Sequence, residues 1–262
     1  MSPTAGAAPL DWLLVALVGA SLGSFANVVI HRLPRGISLV RRRSRCPSCE
    51  QPIAWFDNVP LLSFALLVGR CRRCRARIPA RYPLVEALGA LLALAAFWRA
   101  PGPAQAVLWT GFALALLVVI FIDYDHRIIP DAITLPGAGV GLAAALLGPR
   151  PLPDALWGVA LGAGGLLLVA WFYRLAAKRE GLGLGDVKLM AMIGAFCGWQ
   201  GALVTILLGS LAGSLVGIAL LSSGRGTRRT ALPFGSFLAP AAWAALFAGD
   251  WLWGQYLRLF TG

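Results

Sequence analysis

Charge is scarce in this chain. Of its 262 residues only 13% are charged, and the mean hydropathy is +0.75. A soluble domain of this size carries about twice that share of charge, so there are too few polar side chains to cover a soluble surface. Acids are scarcer still, with 11 Asp and Glu against 23 Lys and Arg. Only two histidines occur, His31 and His126, and both border apolar runs. Neither has a serine or cysteine nearby in a nucleophile–base arrangement. The first long apolar run, Leu10–Ile30, lacks an Ala-rich cleavage context, and basic residues follow it. It reads as a retained helix rather than a cleaved signal.

Apolar sequence is abundant. A helix needs roughly 20 mostly apolar residues to cross a bilayer. Candidates are Leu10–Ile30, Pro83–Trp98, Ala106–Ile122, Ala132–Leu147, Ala155–Tyr173, Val187–Trp199, Ala202–Leu221 and Phe234–Ala248. The sixth is short, so the count is seven or eight. Glycines recur every three or four residues at Gly158, Gly162 and Gly165, and at Gly209, Gly213 and Gly217. That spacing puts each set on one helix face, where small residues let backbones approach in lipid. Glycine is also simply common in membrane helices.

The basic residues set the orientation. With eight spans, 20 Lys and Arg lie on one side and only Arg99, Arg150 and Arg258 on the other. The crowded side is the cytoplasm by the positive-inside rule. The eight-span count fits this bias, since dropping the sixth segment would invert the last loop. The net charge of +12 is thereby explained by topology and anionic lipid, not by nucleic acid. The expected class is an all-α polytopic membrane protein of about eight transmembrane helices with a small cytoplasmic metal-binding loop. Its expected parts are a first helix at 1–30, a cysteine-bearing loop at 31–82 and a helical membrane domain at 83–262.

That loop contains Cys46-Pro47-Ser48-Cys49 and Cys71-Arg72-Arg73-Cys74. Two C-x-x-C pairs at this separation have tetrahedral zinc-site spacing. Neighbouring arginines favour the thiolate that binds metal, and a cytoplasmic position disfavours disulfides. Redox chemistry and an iron–sulfur centre are the rivals to zinc. Four sulfur ligands would make the ion structural, because no position stays open for water. Cys197 stands alone in an apolar segment and reads as a small core residue.

Two acidic motifs interrupt the apolar sequence: Ile122-Asp123-Tyr124-Asp125-His126-Arg127-Ile128-Ile129-Pro130-Asp131 and Gly183-Leu184-Gly185-Asp186-Val187-Lys188. Asp123 and Asp186 fall at similar depth on the cytoplasmic side. Carboxylates at a membrane edge are costly and usually functional. A facing pair titrates as a unit, one carboxyl ionised to deprotonate water and the other protonated to bind a carbonyl oxygen. Other roles stay open on these residues alone. Asp131 and Asp186 suit the first turn of a helix, and Asp125 suits a solvated turn or a pairing with Arg127. Glu86 and Lys188 sit near the interface and suit snorkelling, pairing or a polar pocket. The acids would also serve an ion path in a transporter or channel, although no clear inverted repeat is present.

Taken together the motifs resemble the bacterial type IV prepilin peptidases, bifunctional leader peptidases and methyltransferases of the membrane-embedded aspartic class. The resemblance runs from Ser21 to about Pro240. It rests on Gly23-Ser24-Phe25-Ala26-Asn27-Val28-Val29-Ile30-His31-Arg32-Leu33-Pro34, both cysteine pairs, Trp55-Phe56-Asp57-Asn58-Val59-Pro60-Leu61-Leu62-Ser63 and Arg81-Tyr82-Pro83-Leu84-Val85-Glu86. The Asp123 motif, Gly183-Leu184-Gly185-Asp186 and Pro233-Phe234-Gly235 follow in order. Phe56, Phe64 and Ala26 are small departures. The resemblance implies that Asp123 and Asp186 are catalytic and that a basic leader is cut from prepilins or pseudopilins, after glycine, at the cytoplasmic face of the bacterial inner membrane. It also implies N-methylation of the new terminus with S-adenosylmethionine, although no motif assigns the methyltransferase residues.

Overall fold

The computed structural model describes residues 7–40, 44–148, 150–178, 183–225 and 232–261. Arg41, Arg42, Arg43, Arg179, Arg228 and Arg229, which contribute to the expected orientation, lie outside the described residues. No strand forms among the described residues beyond two isolated antiparallel bridges, Arg45 with Pro52 and Arg70 with Arg77. The helices are α1 Pro9–Arg32, α2 Leu62–Leu66, α3 Arg81–Arg99, α4 Pro103–His126, α5 Asp131–Leu147, α6 Leu152–Val159, α7 Gly165–Ala177, α8 Leu184–Ser222 and α9 Gly235–Thr261. A π-helical turn, Ala160–Gly164, joins α6 to α7. Among the described residues, five helical stretches are long and apolar enough to cross a membrane: Pro9–Arg35, Arg81–Arg99, Pro103–His126, Leu152–Ala176 and Leu184–Ser222. The chain is a multi-pass membrane protein. It divides into two compact units, Met1–Val118 and Val119–Gly262, with the division inside α4.

In the first unit α1 packs against α3. The contact is set by glycine on both sides. A Cβ on Gly19 would lie 2.6 Å from the Ala93 Cβ, and one on Gly89 would lie 2.6 Å from the Gly19 carbonyl oxygen. A Cβ on Gly23 would lie 2.8 Å from the Val85 carbonyl oxygen. Backbones therefore touch directly, which is how helices associate where lipid is as apolar as leucine. The buried Asn27 amide donates to the Tyr82 carbonyl at 3.1 Å, fixing the polar ends of the two helices together. The connection between these helices holds the cysteine pairs.

In the second unit the N-terminal half of α8 is the core. Leu189, Met190, Met192 and Ile193 are fully buried, and α5, α6 and α9 all pack on α8. The helix breaks at Gly198, whose φ of 69° and ψ of −175° lie where only glycine sits readily. The chain turns back there. A Cβ on Gly162 would lie 3.2 Å from the Met190 carbonyl oxygen and 3.4 Å from the Ala202 Cβ, whereas a straight helix separates those residues by roughly 18 Å. The Cys197 carbonyl beside the break accepts a hydrogen bond from Arg150 at 3.0 Å, and Arg150 also pairs with Asp154 at 2.6 Å. Gly158 packs reciprocally on Gly194, but Gly165 meets nothing within 4 Å. The first glycine set is thus a packing face only in part. Gly209 and Gly213 meet Leu238 and Phe237 at the start of α9.

Candidate functional site

The cysteine pairs form two copies of one backbone turn. The Cys46 N–H donates to the Gln51 carbonyl at 3.0 Å, and the Glu50 N–H to the Cys46 carbonyl at 2.8 Å. The second copy repeats this with Cys71 N–H to Ala76 at 2.9 Å and Arg75 N–H to Cys71 at 3.0 Å. Glu50 and Arg75 both take positive φ, 56° and 59°. Each turn aims its two sulfurs inward, and all four Sγ atoms lie within 4.8 Å of one another. Cys46 and Cys74 Sγ are 3.8 Å apart, far beyond a disulfide bond. Sulfurs bound tetrahedrally to zinc at about 2.3 Å stand roughly 3.8 Å apart, so the donor set fits that ion.

The thiols also show why a cation suits them. Backbone N–H groups of Cys49 and Ser48 pull the Cys46 thiol down to about 6. At Cys74 the Ala76 N–H favours the thiolate, but desolvation and the neighbouring thiols outweigh it and push the group up to about 11. Four sulfurs this close do not all ionise without a counter-charge. Beside the second turn, Arg72 holds Asp57 in a bidentate pair, Nε to Oδ2 at 2.8 Å and Nη2 to Oδ1 at 2.6 Å. That guanidinium keeps Asp57 below the usual carboxylate range. Glu86, the polar residue near the interface of α3, accepts the Leu61 N–H at 2.8 Å and so ties the loop to its helix.

The acidic motifs converge within the second unit. Asp123, in the last turn of α4, is 5% exposed, and Asp186, in the first turn of α8, is 9% exposed. Asp186 lies within direct electrostatic reach of Asp123. Ile129 connects them sterically. A Cβ on Gly185 would lie 3.0 Å from the Ile129 Cβ, and one on Gly235 would lie 2.7 Å from its Cδ1 and 3.0 Å from Asp123 Oδ2. Three segments therefore meet without room for one added carbon: the loop after α4, the start of α8 and the start of α9.

Ser236 completes the arrangement. Its N–H donates to Asp123 Oδ2 at 2.8 Å, and its hydroxyl approaches the same oxygen at 3.2 Å and the Ile120 carbonyl at 3.1 Å. This residue is not singled out by the motif Pro233-Phe234-Gly235. The available signal was a serine in the first turn of a helix, where free N–H groups attract carboxylates. Neither α5 nor α8 has a side-chain cap hydrogen bond. Asp131 instead accepts both its contacts from Lys188, at 2.8 and 2.7 Å. Cys197 is buried, as expected of a core residue.

The chain is similar to known proteins over most of its length. Residues 17–100 match the bacterial peptidase A24 N-terminal domain, and residues 110–218 match the type IV leader peptidase family. A prepilin leader peptidase/N-methyltransferase of Pseudomonas putida is 38% identical over 269 residues, covering 94% of this chain and 93% of its own. One from Aeromonas hydrophila is 42% identical over 282 residues, covering 96% of each. One from Klebsiella pneumoniae is 45% identical over 206 residues, covering 75% of this chain and 89% of its own. No solved structure matches the chain. The chain is an enzyme of the type IV leader peptidase family.

Proposed function

We propose that this enzyme removes the basic leader from type IV prepilins or pseudopilins at the cytoplasmic face of the inner membrane, using a water activated between Asp123 and Asp186. The observation that carries this reading is the convergence of two buried carboxylates from separate motifs, within charge reach of each other and joined through Ile129. Like charges at this range favour a state with one proton shared by the pair. With Asp123 Oδ2 engaged by Ser236, the carboxylate offers its other oxygen to the water. Asp123 takes the proton of the water while the Asp186 carboxyl donates its own to the scissile carbonyl; Asp123 then passes its proton to the leaving amine as Asp186 recovers one from the collapsing diol.

The topology we propose has eight membrane segments, counting the two halves of α8 separately. The reversal at Gly198 supports that count, as does the crowding of arginine on one side. We assign 1–30 as the first span, 31–82 as the cytoplasmic zinc domain and 83–262 as the helical peptidase domain. Cys46, Cys49, Cys71 and Cys74 would hold a structural zinc, which neutralises their thiolates and supplies folding energy to a loop with little core. N-methylation of the product with S-adenosylmethionine is part of the proposal and rests on the bifunctional relatives.

The test is cleavage of a purified prepilin by the detergent-solubilised protein, with product masses read with and without S-adenosylmethionine. Asp123→Asn and Asp186→Asn should each abolish cleavage while leaving insertion intact. Full activity in either variant overturns the aspartate assignment. Cation flux in proteoliposomes without peptide cleavage would favour a transporter.

A further inference from the structure

We infer that the Lys188–Asp131 ion pair is a positioning clamp that sets the register of Asp186 against Asp123. The inference rests on the two-aspartate reading above and goes beyond it to residues outside the reacting pair. Asp131 is the first residue of α5, directly after the loop that leaves Asp123. Lys188 is the fifth residue of α8, two residues past Asp186. Lys188 Nζ donates to both Asp131 carboxylate oxygens, at 2.8 and 2.7 Å.

This contact is the second of two stitches between the same segments. Ile129 touches Gly185, one residue before Asp186, with 3.0 Å left for an added Cβ. Asp131 holds Lys188 on the other side of Asp186 in sequence. The acid of the second motif is thus bracketed by one apolar and one ionic contact to the exit loop of the first. The loop needs such fixing. It leaves α4 through Arg127 at a φ of 55°, and the described residues show no side-chain cap where α5 begins. A displacement of about 1 Å at a reacting group costs on the order of a hundredfold in rate.

The exposure of the pair separates this role from simple stabilisation. The Lys188 and Asp131 side chains are 36% and 55% exposed. Ion pairs that open to solvent contribute little to stability, so what the pair supplies is alignment. The pair should therefore matter to kcat far more than to KM or to the melting temperature.

The experiment is a charge swap in the full-length protein, assayed by prepilin cleavage. Lys188→Glu and Asp131→Lys singly should lower kcat by about tenfold to a hundredfold, with KM and melting temperature little changed. The double variant, carrying both substitutions, should recover most of the rate, and Lys188→Arg should retain it. If a reversed single variant fails to insert, Lys188→Gln and Asp131→Asn read the same loss of the pair. A swapped variant as inactive as the singles overturns the clamp, because it means that one residue acts on the substrate directly. Single variants at the parental rate overturn it as well. Asp123→Asn and Asp186→Asn in the same assay keep the two claims apart. If those variants cleave, the aspartate reading fails; if they are dead and the swap is not rescued, only the clamp fails.

Discussion

Asp123 and Ser236 are bound twice through one oxygen: the Ser236 N–H reaches Asp123 Oδ2 at 2.8 Å and the hydroxyl reaches it at 3.2 Å. The hydroxyl has a single proton and two acceptors, since the Ile120 carbonyl is 3.1 Å away. The backbone donor is therefore the constant partner and the hydroxyl the adjustable one. Ser236→Ala keeps the first and removes the second. A lost hydrogen bond to a charged group is worth about 1.5–3 kcal/mol and one to a neutral group about 1 kcal/mol. With the N–H still in place, the smaller figure applies, which is roughly a fivefold drop in kcat/KM. Initial rates of prepilin cleavage measure it, and Ser236→Thr should restore the rate.

The close meeting at Ile129 gives a second prediction. Gly235→Ala would place a carbon 2.7 Å from Ile129 Cδ1 and 3.0 Å from Asp123 Oδ2. The Ile129 tip can move, but the carboxylate proposed as catalytic cannot move without cost to alignment. Gly185→Ala would meet only Ile129, at 3.0 Å. Gly235→Ala should therefore lose on the order of a hundredfold in kcat, and Gly185→Ala clearly less. Ile129→Val removes the Cδ1 that a Cβ on Gly235 would meet and keeps the Cβ that one on Gly185 would meet, so it should relieve Gly235→Ala only in part, leaving the Asp123 contact, and should not rescue Gly185→Ala. Single-turnover cleavage rates of the four variants decide this, and full rescue of Gly235→Ala would refute the assignment of the Asp123 contact.

Much of this arrangement was legible in the sequence, for physical reasons that differ by element. Apolar runs long enough to span are a compositional signal, so α1, α3 and α4 fall where runs of that kind occur. The cysteine turns were legible because their hydrogen bonds close within a few residues of each C-x-x-C pair. Partners distant in sequence were not. Asp131 suits a helix start on local grounds, and only folding brings Lys188 to it across 57 positions. Ser236 lies 113 positions from Asp123, and nothing local to either names the other. Glu86 likewise read as a generic interfacial acid, whereas it holds the Leu61 N–H of a loop 25 positions away.

Metal content tests the cysteine cluster. Purified protein should carry one zinc, lost on any Cys→Ser change at Cys46, Cys49, Cys71 or Cys74. The pH response has a definite sign. The Cys46 thiol is lowered from its ordinary value to about 6, so its thiolate is already formed at neutral pH. Protons compete with the metal at each of the four thiolates, so the stabilisation that these give is lost as pH falls. Zinc should thus be released progressively toward acid pH, as read by elemental analysis after buffer exchange. Release that grows instead toward alkaline pH would contradict the assignment.

Gly198 provides a test of the fold that leaves the site chemistry untouched. Its φ of 69° with ψ of −175° belongs to a region nearly closed to other residues, costing about 1–3 kcal/mol. A Cβ there would also run into the Asp154 carboxylate and the Arg150 guanidinium that brace the break. Gly198→Ala therefore meets backbone strain and displaces Arg150, the side-chain donor to the Cys197 carbonyl. Removing the donor alone, by Arg150→Ala, spares the backbone strain and should cost less. Melting curves in detergent should rank the parent above Arg150→Ala and Arg150→Ala above Gly198→Ala. Residual cleavage per folded molecule should stay near the parental value in both, because Asp123, Asp186 and Ser236 make no contact with this bracket.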